Sequence, residues 1–391
     1  MNTQKRFFIV LCVLLAVILL VGSVSADDGQ MFRRNVSNTP DEESEEAAIH
    51  MMEFYVPAQT ADGELTTIEY YDAEGTLVET RDFAKPLVTI YIDGVENTGG
   101  SNIVFSQDIP VFYSGIGFGT RDAFGALSLD DGATWKRRNL SDSAHLSSFH
   151  LADGTAYPGD VNYMTFAIAE DGDAVLAGWL SRYCMGGNPT YTLTDEEKDL
   201  LQTTYGLSDL YLEDLFGVAG SQVSVDYTQQ GFPEVGEIPF NCIWTARGSL
   251  ELDEETGLYD IVWRKAERLT SGRRDANRLE IAGVADAGFI MVWQEDPDGL
   301  RPGQGLGPGE GWSGAIVNQK TDLWYSYIEW DDFDLVKDVD GNIIPLSEYT
   351  EETMPQAGIP LAMPTRITDN NICKAVSQTD PNGDLINAYC Y

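Results

Sequence analysis

An all-β chain, organised as a propeller-like ring of small sheets, is what this sequence predicts, and three observations carry that prediction. Glycine is abundant at 38 residues and, with many Thr, Tyr, Val and Trp, tilts the composition toward strands and turns. Hairpin-like units recur along the chain, each a strand, an acidic or glycine turn, and a second strand ending near a tryptophan. Trp179, Trp263, Trp293 and Trp324 stand in comparable places within them, the weak repeat expected of propeller blades. Finally, the stretch "SLDDGATW", Ser128 to Trp135, puts a turn-forming residue wherever a turn has use for one. At 391 residues the chain suffices for one large β-domain, and 43% hydrophobic with 11% aromatic residues is globular composition.

The elements follow in order. Residues 1–26 read as a signal peptide: Lys5 and Arg6 precede an apolar run of about 18 residues, and Val24-Ser25-Ala26 form a small-residue cleavage site. An uncleaved anchor is the alternative, and it is the chain's only expected route to a membrane. Residues 27–64, with "NTPDEESEEAAIHMMEF", read as an acidic, loosely ordered segment. From residue 65 to 391 the propeller-like domain is expected, opening with a hairpin in "TTIEYYDAEGTLVET". A small helical insertion spans about 194–217, where Thr194 and Glu197 form a capping box and Gly206 and Gly217 end two short helices. Residues 295–315, rich in Gly and Pro, form a long loop that matches no phosphate-binding pattern and suits the rim of a cleft. In "TDLWYSYIEWDDF" both alternating sides are apolar, which predicts an inner strand covered on two faces.

The charge of −39, from 63 acids against 24 bases, repels phosphate backbones and argues against nucleic acid as a partner. Outside the leader the cysteines are Cys184, Cys242, Cys373 and Cys390. An even count in an exported chain predicts disulfides; three pairings exist, of which nearest neighbours are the simplest. With no CxxC motif and only three histidines, zinc and haem have little support. A Ca²⁺ site of loose geometry, on Asp334, Asp338 and Asp340 or on Glu170, Asp171 and Asp173, is the one cofactor left open, because the EF-hand spacing fails.

The turn chemistry of Ser128–Trp135 is self-contained. Asp130 can accept amides across the turn, Gly132 can take a positive φ, Ser128 and Thr134 supply hydroxyls, and Trp135 can fold over the tip. Ser128-x-Asp130-x-Gly132-x-Thr134-Trp135 resembles the Asp-box, or BNR repeat, of sialidase-like β-propellers. The stretch from "SNIVFSQ" through "WDDF" is similar to bacterial exported choice-of-anchor proteins. The resemblance implies a sialidase-like propeller, incomplete or irregular since one intact box is present, with the box on a blade-edge turn away from the catalytic face. Such a catalytic face would need an arginine cluster, a tyrosine–acid pair and a separate carboxylic acid. "MFRRNV" lacks the residues expected after Arg33 for the first arginine. The candidates are Arg273 and Arg274, in a run with Arg264, Arg268 and Arg278, followed by Glu295 and Asp296 after Trp293. Tyr325 and Tyr327 are nucleophile candidates, with packing between sheets as the competing reading.

Three functions follow as expectations: a non-catalytic exported module that binds an extracellular glycan or surface protein, a sialidase-type glycoside hydrolase, and a structural component of surface assembly.

Overall fold

The computed structural model describes residues 44–94, 121–143, 161–185 save 170 and 171, 222–230, 236–299 save 285, 321–337 and 361–368 save 363. Shorter pieces are described at 36–37, 104–106, 109–111, 149–150, 152, 156–157, 199–200, 203–204, 233, 342–345, 378–379 and 385–387. The fold is all-β, and its body is three antiparallel sheets. The first holds β1 (Ser44–Met51), β2 (Leu87–Gly94), β3 (Arg121–Ser128) and β4 (Lys136–Asn139), in that spatial order. The second holds β5 (Val161–Ile168), β6 (Ala174–Ser181), β7 (Cys242–Asp253) and β8 (Leu258–Trp263), with β9 (Glu267–Arg268) also paired to β7. The third holds β10 (Asp275–Val284), β11 (Gly288–Asp296), β12 (Asp322–Glu329) and β13 (Thr365–Arg366).

Register shows that these sheets repeat one plan. Tyr91 on β2 lies opposite Phe124 on β3, Trp179 opposite Trp244, and Trp293 opposite Trp324. On the fourth strand the same row continues with Asn139, Arg268 and Arg366. Just beyond it a two-bond clamp recurs. The Leu140, Leu269 and Ile367 amides each donate at 2.7 Å to the carbonyls of Ala123, Ile243 and Leu323. The amides of those three residues donate in return to Ser141 Oγ at 3.0 Å, Thr270 Oγ1 at 3.0 Å and Thr368 Oγ1 at 2.9 Å. Each first strand also carries an irregularity in its pairing, between Glu45 and Ala48, Asn162 and Met164, and Asn277 and Glu280. In the latter two, Tyr163 and Arg278 both take φ 51°, the left-handed kink of a bulge. Of the tryptophans expected in comparable places, then, Trp179 and Trp293 are equivalent. The counterpart of Trp324 is Trp244, and Trp263 lies on the outer part of a fourth strand, against Gly248 and Gly125.

The sheets stack face on face. Each has a front face bearing Tyr91, Trp179 or Trp293 and a back face bearing the residues between. The back of the first, with Val88, Ile90 and Ile92, shares a core with the front of the second, with Val175, Ala177 and Trp179. The back of the second, with Leu176, Leu180 and Ile243, shares a core with Phe289, Met291 and Trp293 on the front of the third. That sandwiching explains why every residue of β6, "AVLAGWLS", is buried, a continuous apolar run rather than an alternating one. It also requires Gly178, whose absent Cβ would lie 2.7 Å from Leu279 Cδ2 of the third sheet.

β12 departs from expectation. Trp324, Ser326 and Ile328 are buried, but Leu323 and Tyr327 are exposed, so only one of its faces is covered. Among the described residues the three sheets stack in sequence, first on second and second on third, and no closed ring of blades is seen. The segment 27–64, read as acidic and loosely ordered, supplies β1 and the buried Met52, Val56 and Ala58. Its acids masked the alternation of a strand at the margin of the sheet. The helical insertion at 194–217 lies largely outside the described residues; 199–200 and 203–204 within it are helical. The leader, 1–26, lies outside them altogether. No helix among the described residues is long and apolar enough to cross a membrane.

Candidate functional site

The two ends of the stack differ. At one end lie the connections between third and fourth strands, compact in the first two sheets (129–135 and 254–257), and the Ser128–Trp135 turn closes the first of them. Asp130 Oδ1 accepts the Thr134 amide at 2.8 Å and the Ser128 hydroxyl at 2.8 Å, while Oδ2 accepts the Thr134 hydroxyl at 2.6 Å. Gly132 sits at φ 80°, its amide donating to Ser128 Oγ, and the Trp135 indole donates to the Gly132 carbonyl at 3.1 Å. The Trp135 ring is buried with Tyr91 and Ala126. Gln59 ties this turn to the second sheet: its amide donates to the Leu129 carbonyl, and its side chain exchanges two hydrogen bonds with the Tyr259 backbone.

At the opposite end leave the three connections between second and third strands, residues 95–120, 182–241 and 297–321. Loops held by a rigid scaffold are the usual place for a binding face, and 182–241 is the longest connection between paired strands in the three sheets. The second and third sheets share this end, since the Asn241 amide donates to Asp275 Oδ1 at 2.9 Å and the Ala276 amide to the Asn241 carbonyl at 3.1 Å.

Buried charge concentrates there. Asp93 and Asp122, directly opposite on β2 and β3, are both essentially inaccessible, and Asp122 accepts the Asn139 amide group at 2.9 Å and the Ser141 hydroxyl. Asn139, though it begins a glycosylation triplet, is thereby committed to the sheet. In the third sheet Glu295 and Asp322 occupy the matching pair of positions. Arg274 pairs with Glu295 at 2.6 Å and lies 4.3 Å above the Trp324 ring; Arg366 pairs with Asp322 at 3.3 Å. In the second sheet the matching positions are Ser181 and Cys242, and Cys242 is bonded to Cys184 across the mouth of the 182–241 connection. Arg268, whose guanidinium burial pulls below its ordinary pKa, donates to the Cys184 carbonyl at 2.6 Å and to the Ser271 carbonyl at 3.2 Å. Arg182 donates to the Pro239 carbonyl at the far side of the same connection.

The sequence candidates are distributed as follows. Arg274 and Glu295 meet, but both carboxylate oxygens are occupied, Oε2 by Arg274 and Oε1 by the Trp293 indole at 3.0 Å. Asp296 is fully buried and accepts the Asp298 amide at 2.9 Å and the Thr321 hydroxyl at 3.0 Å, which fixes both ends of the 297–321 connection. Arg273 is exposed, its amide on Ser271 Oγ, and Arg278 is the exposed bulge residue. Arg264 forms an exposed pair with Glu251. Tyr325 and Tyr327 lie on the back face of the third sheet, turned from Trp324 and Arg274. Asp334 is exposed just after the short helix α1 (Trp330–Phe333). Asp338, Asp340, Glu170, Asp171, Cys373 and Cys390 lie outside the described residues. Among the described residues no group of three or more His, Cys, Asp or Glu is arranged to hold a metal.

Sequence reasoning missed Asp93, Asp122, Arg182, Tyr227, Asp275, Asp322 and Arg366. Tyr227 is buried within electrostatic reach of Asp275, Arg182 and Asp296; burial, then Asp275, push its hydroxyl above the usual tyrosine range, and Arg182 opposes them. One signal was available: "NLS", "RLT" and "RIT" after the fourth strands partner "DAF", "CIW" and "DLW" at the start of the third. Chemically, the arrangement uses its charges on itself and on loop backbone. It fastens the strand ends from which the long connections leave. No family model matches the chain, and no curated protein matches it.

Proposed function

We propose that this chain is an exported, propeller-like module whose loop-bearing end binds an extracellular ligand or partner, a glycan or a surface protein, without chemically altering it. The observation that carries the reading is that 95–120, 182–241 and 297–321 all leave from strand ends at one end of the stack, where buried ion pairs and the Cys184–Cys242 bond hold those ends. Charged groups buried at the strand ends give the connections fixed points of departure, and preorganisation lowers the cost of binding. Further support comes from the leader-like N-terminus and from the disulfide, a bond favoured in oxidising compartments. The occupied oxygens of Glu295 speak for positioning and against proton transfer at that residue.

The test screens the purified secreted chain against arrayed glycans and host or envelope surface proteins, with a fluorogenic sialoside assayed in parallel. A binding signal lost when 300–318 is replaced by a short Gly/Ser connector, with no sialoside turnover, is the expected result. Turnover that disappears in Arg274→Ala or Glu295→Gln would establish a hydrolase instead.

A further inference from the structure

Positions that the repeat makes equivalent do not share one fate. Ala123 and Ile243 are fully buried in the two sheet–sheet cores, but Leu323, their counterpart, is 36% exposed. Leu140 and Leu269 are buried in the same two cores, at 8% and 0%, while Ile367 is 55% exposed. These residues lie on the back face of the third sheet with Tyr327, itself 42% exposed. Gln294, paired with Leu323 on that face, has a buried side-chain oxygen with no hydrogen-bond partner. In the first two sheets the back face receives the front of another sheet, and among the described residues no sheet covers this one.

Beyond β13 the chain again follows a fourth strand with an antiparallel hairpin, the order that starts the other sheets. After β9 come β10 and β11, an antiparallel hairpin. After β13 come β14 (Gln378–Thr379) and β15 (Leu385–Asn387), also an antiparallel hairpin, around Asn382-Gly383, a favoured pair for such a turn. The front-face aromatics Tyr91, Trp179 and Trp293 stand on second strands, and in the sequence Tyr389 follows two residues after the second strand of this hairpin.

We propose that the back face of the third sheet is the docking surface for this chain's own residues 373–391, which add the first two strands of a fourth sheet and bring Tyr389 against Leu323 and Ile367. Continuity with the two existing interfaces selects this occupant over a second copy. On the front of the first sheet, the only such face a second copy could offer, Tyr91 and Ala126 are already buried with Trp135.

The experiment is made on the full chain. Benzoylphenylalanine placed at Tyr327 should crosslink on irradiation to a peptide from 373–391 of the same chain. In radical footprinting, Tyr389→Asp should raise labelling of Leu323 and Ile367 severalfold while Leu140 and Leu269 stay protected. Crosslinks that join two chains, or that avoid 373–391, overturn the proposal, as does unchanged labelling at Leu323 and Ile367 in Tyr389→Asp. Should Leu140 and Leu269 also become labelled, the variant has unfolded and the crosslink in the otherwise native chain decides.

Discussion

Asp130 holds Thr134 twice, through the backbone amide at 2.8 Å and through the side-chain hydroxyl at 2.6 Å, inside a turn that also buries the carboxylate. Asp130→Ala therefore removes the acceptor of three hydrogen bonds and leaves the Thr134 amide without one. The expected cost is about 2–3 kcal/mol in urea unfolding. Because the turn lies at the end opposite the connections between second and third strands, ligand binding under native conditions should be unchanged. A variant as stable as the parent would show that the turn forms without its acid.

Arg247 and Glu267 form the most buried ion pair described. The guanidinium meets both carboxylate oxygens, at 3.0 and 2.8 Å, and its remaining nitrogen donates to the Phe333 and Leu335 carbonyls at 2.6 and 2.7 Å. Arg247→Met strands a buried carboxylate and should cost about 3–5 kcal/mol. Arg247→Met with Glu267→Met should cost less than the single change, since no charge is then left alone. A double-mutant cycle measures this, and additive costs would refute the coupling.

How far the sequence disclosed this architecture depends on the residue. Ser128–Trp135 was legible because a turn's hydrogen bonds are local, so residue type and order determine them. Trp179 and Trp293 were legible as recurring aromatics. The equivalence of Asn139, Arg268 and Arg366 was not, because the plan at that row is a backbone clamp closed by Ser141, Thr270 or Thr368, which tolerates different neighbours. Unequal connections between second and third strands also erase any fixed period. Of the site, Glu295 and Arg274 were within reach as a strand-end acid and a clustered base. Arg182 and Tyr227 were not, since they enter through a long excursion and acquire meaning only where it folds back on Asp275 and Asp296. The exposed Leu323 was misjudged for a related reason: alternation shows that a face is apolar, not what covers it.

Cys184 and Cys242 close a loop with a sequence separation of 58. By loop-closure entropy their bond contributes about 4 kcal/mol. Cys184→Ser with Cys242→Ser should lower stability by up to that amount. It should also raise amide exchange within 185–241 while exchange in the Ser128–Trp135 hairpin is unaltered. Uniform loosening of the whole chain would contradict a role confined to the connection.

Tyr227 gives the stability an alkaline limit with a definite sign. Its hydroxyl ionises near 10.0 in the unfolded chain, but burial, Asp275 and Asp296 together outweigh Arg182 and keep it protonated to higher pH in the fold. Above about pH 10 the unfolded state thus binds fewer protons than the folded one, and stability falls as pH rises. The contribution is fully present below the unfolded pKa and is lost progressively on the way to the folded one. Its steepest slope is about 1.4 kcal/mol per pH unit for one such tyrosine. Tyr91, also raised by burial, adds a parallel effect that persists in a Tyr227→Phe variant. Tyr227→Phe should be less stable than the parent near neutrality, through loss of the hydroxyl's contacts, yet lose stability less steeply between about pH 10 and 11. Denaturant midpoints at half-unit steps in pH measure both. Parallel profiles would mean that the Tyr227 hydroxyl meets solvent and is not sealed against Asp275 and Asp296.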